Sequence, residues 1–151
     1  MYKKILVPLD GSKRAEAILP HVEEIARNFD AQVLFLQIIE TKYGYASLDG
    51  FVSVSVEEAA REMRMQQAEQ YLDRLVAKFR EKGITAEASI KFSSIAHTIL
   101  EVAEQEAVDL IALASHGHTG LARVFYGSVA ASLIHLVDRP LLIVRAAANE
   151  D

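Results

Sequence analysis

The segment from residue 115 to residue 129 has the residue types and spacing best suited to holding a phosphate group. It reads Ser-His-Gly-His-Thr-Gly-Leu, then five further residues, then Gly-Ser-Val. Gly117 and Gly120 permit a tight turn and a close approach of the backbone to a ligand. Gly127 and Ser128 stand where a helix is predicted to begin, and a helix N-terminus offers free N–H groups to an anion. The Ser128 hydroxyl is expected either to cap that helix or to contact a phosphate oxygen. The same residues also form turns and caps in proteins that hold no ligand.

Other kinds of site find little support. His116 and His118 have an i, i+2 spacing, but no third metal ligand is evident, so we interpret them as part of a solvated loop. The sequence contains neither G-x-x-x-x-G-K-[ST] nor a G-x-G-x-x-G after the first strand, which disfavours a P-loop NTPase and a standard dinucleotide enzyme. Ser12, Ser128 and the histidines form no nucleophile, base and orienter set. We therefore name no catalytic residue and no metal ligand.

Five short apolar runs predict the strands that must position these residues. Four of them are continuous in Ile, Leu and Val, as expected for strands buried on both faces. The third alternates, which predicts an edge strand with one face in water. The predicted strands are Lys4–Leu9, Gln32–Ile39, Thr85–Lys91, Asp109–Ala114 and Leu141–Val144.

The stretches between the runs have helical periodicity. The first helix is predicted from Ser12 to Phe29, with a kink or loosening at Pro20. A capping box, Ser55-x-x-Glu58, predicts the start of the second helix after a loop over Thr41–Ser53. That helix is expected to bury a stripe that begins with Ala59, Ala60 and Met63 and to end before Gly83. The third helix is predicted to start near Ser94 and the fourth to run from Ser128 to about Leu136.

Strands that alternate with helices imply right-handed crossovers and a parallel sheet. We predict the α/β class: a single-domain, Rossmann-like, open parallel five-stranded sheet with helices on both faces. The domain is expected to cover residues 1–146, followed by a frayed tail over residues 147–151. Ligands of such sheets bind at the carboxyl ends of the strands, near the point where strand order reverses. Residues that follow strands one, two and four are therefore the site candidates.

Composition narrows the class of partner. The chain has 151 residues and a formal net charge of -5, which argues against nucleic acid because duplex binding needs a basic surface. It contains no cysteine, which excludes disulfides, thiolate nucleophiles and cysteine metal sites. No apolar run approaches the ~20 residues of a membrane span, and no secretory signal is visible. We expect a cytoplasmic protein without a membrane or nucleic-acid partner.

Several stretches together resemble the universal stress protein family over almost the whole chain. They are Lys4–Ser12, Ala107–Ile111, Ser115–Leu121, Gly127–Ala130 and Arg139–Val144. The nucleotide-binding branch of that family has the pattern G-x-x-G, nine residues, then G-[ST]. Gly117, nine residues and Gly127-Ser128 match its second part, whereas Ala114 occupies the position of the first glycine.

The resemblance implies an adenine nucleotide as ligand: ATP, or AMP or ADP, with Mg²⁺ held through the phosphates. Ile38 would give backbone hydrogen bonds and apolar contact to the adenine. Asp10 would lie near the ribose or phosphates, where a carboxylate needs a hydroxyl or a Mg²⁺ shell; alternatively it forms an Asx turn before Ser12. The other residues placed by the resemblance are Pro8 and Leu9 beside the base, and Ala114, Gly117, Gly127, Ser128 and Val129 at the phosphates. His116, in the same loop, is a further candidate for a phosphate contact.

We therefore expect a stress-response regulatory protein that binds a nucleotide and is not a turnover enzyme. Two alternatives stay open. Ala114 supports a nucleotide-free stress protein that acts through protein contacts, and Asp10 gives weak support to slow ATP hydrolysis. Leu141–Val144 is apolar throughout although it ends the sheet. An uncovered apolar edge invites aggregation, so we predict a homodimer through this strand, as the resemblance also implies.

Overall fold

The computed structural model describes the backbone of residues 1–40, 50–115 and 127–147, and the side chains of these residues except 50–55. Strands and helices alternate along the chain. A short 3-10 helix over Ala15–Ile18 precedes the first α-helix. The strands are β1 (Lys4–Leu9), β2 (Gln32–Ile39), β3 (Ala86–Phe92), β4 (Leu110–Ser115) and β5 (Leu141–Arg145). The helices are α1 (Leu19–Phe29), α2 (Gly50–Glu81), α3 (Ile95–Gln105) and α4 (Ser128–Leu136).

The five strands form one parallel sheet in the order β3-β2-β1-β4-β5. This confirms the α/β fold class, and the strand bounds agree with the predicted ones to within a residue. β3 lies at one edge, as its alternating sequence predicted, and β5 lies at the other. Strand order reverses between β1 and β4, so the chain has its topological switch point at the carboxyl ends of these two strands.

Each face of the sheet has its own buried core. Ile5, Val7 and Phe35 point to the face covered by α1 and α2. Leu6 and Leu36 point to the opposite face, which α3 and α4 cover. The alternation follows from the two-residue period of a strand, and continuous apolar runs are needed because both faces are covered.

The first helical segment is divided just before Pro20. A 3-10 helix over Ala15–Ile18 continues into α1, where Pro20 occupies the second helical position. Proline has no N–H to donate, and the first turn of an α-helix needs none there. The predicted loosening of the helix near Pro20 is therefore confirmed: the 3-10 helix ends at Ile18 and α1 begins at Leu19.

The predicted start of α2 was wrong. The helix begins at Gly50, so Ser55 and residues 50–53 of the segment predicted as a loop lie within it, whereas residues 41–49 lie outside the described residues. Adding residues to an existing helix avoids the cost of nucleation, which lets α2 continue past a possible cap. The predicted stripe was also wrong in its first part, because Ala59, Ala60 and Met63 are exposed and burial begins at Ala68.

α2 contains 32 residues. Even so, neither α2 nor any other helix in the described ranges is both long enough and apolar enough to cross a bilayer.

The amino ends of the strands are tied together by polar contacts. Asp109, just before β4, accepts hydrogen bonds on Oδ2 from the backbone N–H groups of Lys3 at 2.8 Å and Lys4 at 2.9 Å. The Lys4 ammonium also forms an ion pair with Glu106 at 2.5 Å. These contacts join the start of β1 to the start of β4 at residues more than a hundred positions apart in sequence.

Arg139, two residues before β5, makes a second set of polar contacts at the same end of the sheet. One guanidinium nitrogen donates to the carbonyl oxygens of Ala103 at 2.7 Å and Val108 at 3.0 Å. The side chain also contacts both carboxylate oxygens of Asp138, at 2.8 and 3.2 Å. The two carbonyls belong to the last turn of α3 and the loop after it, and the Ala103 carbonyl also accepts a hydrogen bond from the Val108 N–H at 2.9 Å.

Candidate functional site

A cavity of about 320 Å³ lies at the carboxyl ends of β1, β2 and β4, beside the switch point. We call it the switch-point cavity. It brings together seven of the residues that the sequence singled out: Pro8, Leu9, Asp10, Ile38, Ala114, Ser128 and Val129. Gly127 is the N-cap of α4, directly before two of these residues. His116 and Gly117 lie outside the described residues.

The walls of the switch-point cavity are largely apolar. Leu36, Leu113 and Ile95 extend the surface formed by Pro8, Ile38 and Val129. Apolar walls with few polar groups are typical of sites that hold a flat organic ring. Sequence reasoning named Ile38 but missed Leu36, although residues two apart on a strand share a face.

The backbone groups of Ile38, a residue of the cavity wall, point toward the β1 side. In β2, Gln32 donates to the Lys3 carbonyl on the β1 side, whereas Val33 donates to the Thr85 carbonyl on the β3 side. Alternation therefore turns the backbone groups of Ile38 toward β1. The last residue pair of the β1–β2 ladder joins Leu9 to Gln37, so the carbonyl oxygen of Ile38 lies beyond it and is available as an acceptor.

The N-terminus of α4 supplies the donors of the cavity. Gly127 is its N-cap, and the first helical hydrogen bond runs from the Ala131 N–H to the Gly127 carbonyl at 3.0 Å. The N–H groups of Ser128, Val129 and Ala130 therefore have no acceptor within the helix. Ser128 is the first helical residue and does not cap the helix with its hydroxyl. Free N–H groups and the positive end of the dipole together favour an anion at this position.

Asp10 forms the Asx turn that the sequence left open as one of its two roles. Its Oδ1 accepts a hydrogen bond from the Ser12 N–H at 2.9 Å and another from the Ser12 hydroxyl at 2.6 Å. The Ser12 hydroxyl oxygen in turn accepts from the Ala15 N–H at 3.1 Å. Oδ2 of Asp10 has no hydrogen bond within the described ranges. The side chain can thus order its loop with one oxygen and meet a ligand with the other.

Ala114 causes no conformational conflict at the site. It lies in β4 opposite Val144 of β5. Among the described non-glycine residues, only Asp30 and Ala107 have a positive φ. The backbone at Ala114 is thus one that any residue adopts, and the methyl group is the only change from the glycine of the resembled pattern.

Two further residues line the cavity that the sequence did not single out by number. Glu40 follows β2, and Ala15 comes from the 3-10 helix after β1. The Glu40 position was signalled by its place directly after a strand. Groups of three or more His, Asp or Glu residues arranged to hold a metal are absent from the described residues.

Comparison with known proteins decides the family. The model of the universal stress protein family matches residues 1–145. This chain belongs to the universal stress protein family. Universal stress protein MJ0577 of Methanocaldococcus jannaschii is 30% identical over 96% of this chain and 96% of its own length. Universal stress protein YxiE of Bacillus subtilis is 32% identical over 96% of this chain and 100% of its own.

Solved structures agree with the fold. The structure of MJ0577 superposes on this universal stress protein with a TM-score of 0.80, at 28% identity over 97% of this chain and 98% of the other. A family protein from Arabidopsis thaliana, solved with AMP bound, gives a TM-score of 0.66 at 22% identity. That alignment covers 98% of this chain and 94% of the Arabidopsis chain.

Proposed function

We propose that this universal stress protein is a regulatory protein of the stress response that binds an adenine nucleotide in the switch-point cavity. The supporting observation is that the free N–H groups at the start of α4 line the same cavity as the apolar wall around Ile38. A nucleotide has this combination of an anionic end and a flat apolar ring. Cytoplasmic location remains a prediction, and cell fractionation tests it.

The adenine would lie against Ile38, flanked by Pro8 and Leu9. The exocyclic amino group of adenine is a donor, and the carbonyl oxygen of Ile38 beyond the β1–β2 ladder is an acceptor for it. Hydrogen-bonding edges together with an apolar wall are what a site needs to select a base.

The phosphates would lie at the N-terminus of α4. Gly127, Ser128 and Val129 offer backbone N–H groups there, and Ala114 stands beside them at the end of β4. His116 and Gly117 remain predicted phosphate contacts. Oδ2 of Asp10 fits either a ribose hydroxyl or a water of a Mg²⁺ ion carried by the phosphates. ATP with Mg²⁺ is our preferred ligand, and AMP and ADP are its alternatives.

The Arabidopsis thaliana protein with AMP bound has the same fold as this chain. At 22% identity the likeness extends to the fold alone. The proposed contacts therefore rest on this chain's own residues and on the cavity that they line.

Identification of any co-purified nucleotide tests this proposal. The purified protein is extracted with acid, and the released compounds are separated by chromatography and identified by mass. We expect ATP, ADP or AMP, either released from the protein or, for protein that purifies empty, bound again when added. Protein that releases no nucleotide and binds none at millimolar concentration would favour the nucleotide-free alternative.

We also propose that the protein forms a homodimer through β5. In Leu141–Val144 every side chain is only half-buried, although each packs against one of the two cores. Within the described residues, β4 is the only strand that pairs with β5. α4, which directly precedes β5, leaves Ile134 and Leu136 exposed at 43% and 60%. Pairing of two β5 strands across a two-fold axis would satisfy the free edge and cover apolar surface.

Sedimentation equilibrium at micromolar concentration tests the dimer. The wild type should sediment at twice the chain mass of 16.7 kDa. Ile143→Lys should dissociate it, because a charge would be buried at the centre of the interface. Ile90→Lys is the matched control: Ile90 is a half-buried residue of β3 at the opposite edge, and this variant should remain dimeric. A wild-type monomer, or equal dissociation by both variants, would refute the interface.

A further inference from the structure

A second cavity, of about 450 Å³, opens on the other side of the carboxyl end of β2. We call it the α2 cavity. It lies between β2, the loop at Asp10 and Gly11, and the face of α2 that carries Arg64, Gln67, Ala68, Tyr71 and Arg74. Asp10 and Ile38 line both cavities. The volume falls within the range of small-molecule sites.

Strand alternation places the two cavities on opposite faces of the sheet. Leu36 and Ile38 belong to the face of α3 and α4 and line the switch-point cavity. Gln37 and Ile39 have the opposite parity and line the α2 cavity. A ligand in the α2 cavity would therefore be separated from the nucleotide by the end of β2 and by the Asp10 loop.

Gln37 presents an unsatisfied polar group to the α2 cavity. Its Oε1 is buried and has no hydrogen-bond partner among the described residues. A buried polar atom without a partner costs free energy that a hydrogen-bonding ligand recovers. A hydroxyl group both donates and accepts, so it satisfies the side chain in either orientation of the amide.

Two arginines line the α2 cavity. They are ten positions apart on α2, about 15 Å along the helix axis, with Gln67, Ala68 and Tyr71 between them on the same face. Arg64 uses only Nε, which donates to the Ala60 carbonyl at 3.3 Å. Arg74 has no hydrogen bond or ion pair within the part of the chain that the structure describes. The planar donors of a guanidinium match the oxygens of a phosphate.

Tyr71 contributes a neutral hydroxyl between the arginines. The phenol donates to Glu16 Oε1 at 2.9 Å. Burial, followed by the hydrogen bond to Glu16, raises the pKa of Tyr71 well above its usual value. The group therefore stays protonated at neutral pH. Its oxygen remains free to accept a hydrogen bond from a ligand hydroxyl.

We propose that the α2 cavity binds a phosphorylated sugar or polyol. Its phosphate would pair with Arg74. Arg64 would add a second positive charge at the other end of the same helix face. Its hydroxyl groups would bond to Gln37 and to the oxygen of Tyr71, both of which line the α2 cavity alone. This site is independent of the proposed nucleotide site, since only Asp10 and Ile38 belong to both walls.

Isothermal titration with glucose 6-phosphate, in the presence and absence of ATP with Mg²⁺, tests the proposal. We expect binding with an unchanged dissociation constant when ATP is present. Arg74→Gln should weaken it about tenfold or more, the effect of losing a charged hydrogen-bond partner. Lys78→Gln removes the same charge from an exposed position of α2 outside the cavity and should leave binding unchanged. Glucose and inorganic phosphate, titrated separately, should each bind more weakly than the complete probe.

Gln37→Leu provides a second variant whose folding is secure, because it replaces an unsatisfied buried amide by an apolar group of similar size. It should weaken glucose 6-phosphate without lowering the unfolding temperature. The proposal is overturned if the wild type does not bind the probe at millimolar concentration, if Arg74→Gln and Lys78→Gln behave alike, or if ATP displaces the probe. Failure of ATP to bind would refute the proposed nucleotide site alone and leave the probe titration informative.

Discussion

The two ends of the same sheet differ in whether the polar groups described there have hydrogen-bond partners. At the amino end, Asp109 accepts hydrogen bonds from two backbone N–H groups, and Arg139 donates to two backbone carbonyls. At the carboxyl end, the first N–H groups of α4 lack helical acceptors and Gln37 Oε1 is buried without a described partner. The strands in between are covered by apolar side chains on both faces.

We infer from this difference that the amino end of the sheet contributes mainly to stability and the carboxyl end mainly to ligand binding. A polar group whose hydrogen-bonding capacity is used within the fold contributes to stability, whereas an unsatisfied one costs stability and can recover it on binding. We therefore expect substitutions at the amino end to change the free energy of unfolding and leave binding intact. Substitutions at the carboxyl end should do the reverse.

The largest expected effect is the loss of nucleotide binding in Gly127→Val. The backbone of Gly127 has φ -46° and ψ 161°, a conformation open to any residue, so the fold should survive. The branched side chain would occupy the place where the phosphates approach α4. Titration should show no ATP binding at concentrations about a hundredfold above the wild-type dissociation constant, equivalent to a loss of at least ~2.7 kcal/mol.

Ser132→Val is the control for Gly127→Val. It adds the same side chain to an exposed position of α4 beyond the first turn and should bind ATP like the wild type. Normal binding by Gly127→Val would mean that the phosphate site lies elsewhere.

At the amino end, Asp109→Ala should lower the free energy of unfolding by about 1–2 kcal/mol. Two hydrogen bonds to a carboxylate are lost, and partial exposure to solvent keeps the effect below that of buried ones. Chemical denaturation measures the loss. The affinity for ATP should stay within about twofold of wild type, a difference of ~0.4 kcal/mol. A large fall in affinity would contradict the claim that the amino end of the sheet contributes to stability and not to binding.

The same carboxylate predicts a dependence of stability on pH. Hydrogen bonds from the backbone N–H groups of Lys3 and then Lys4 hold the pKa of Asp109 below its usual value. Because the folded pKa is the lower one, the unfolded chain binds the proton more readily. The stabilisation is complete above the ordinary Asp pKa of about 3.9 and is lost as the pH falls through the folded pKa. Denaturation curves of wild type and Asp109→Asn should converge in that acidic range, and a constant difference would contradict this assignment.

The smallest effect is a gain in stability from Ala107→Gly. Ala107, between α3 and β4, has φ 50°, a left-handed conformation that costs an alanine roughly 1–2 kcal/mol. After allowing for the greater entropy of an unfolded glycine, we expect a gain of about 0.5 kcal/mol. Ala77→Gly, at an exposed position within α2, should instead lose about 0.5–1 kcal/mol. Thermal unfolding should show a higher unfolding temperature for Ala107→Gly and a lower one for Ala77→Gly.

The sequence predicted the sheet better than its surroundings. Continuous apolar runs located four strands and alternation identified β3 as an edge, because burial on one or two faces leaves a direct pattern in the residues. The start of α2 was missed because a capping box reports a local preference that a continuing helix can override. The exposure of Met63 was missed because a periodic stripe does not show how far a helix extends beyond the sheet.

The candidate site was predicted as far as strand ends and helix starts could be located. Asp10, Ile38 and Val129 line one cavity, as expected for residues at the carboxyl edge of a parallel sheet. The α2 cavity was not foreseen. Gln37 resembles an ordinary strand residue, and Arg64 and Arg74 resemble solvated helix residues. Their convergence depends on where α2 crosses the sheet, which no local pattern records.

Isothermal titration of ATP with Mg²⁺ into nucleotide-free wild-type protein tests the central claim most directly. We predict one site per chain with a dissociation constant in the micromolar range, about -8 kcal/mol of binding free energy. The absence of heat at millimolar ATP, from protein shown by acid extraction to hold no nucleotide, would contradict the claim that the carboxyl end of this sheet is a nucleotide site.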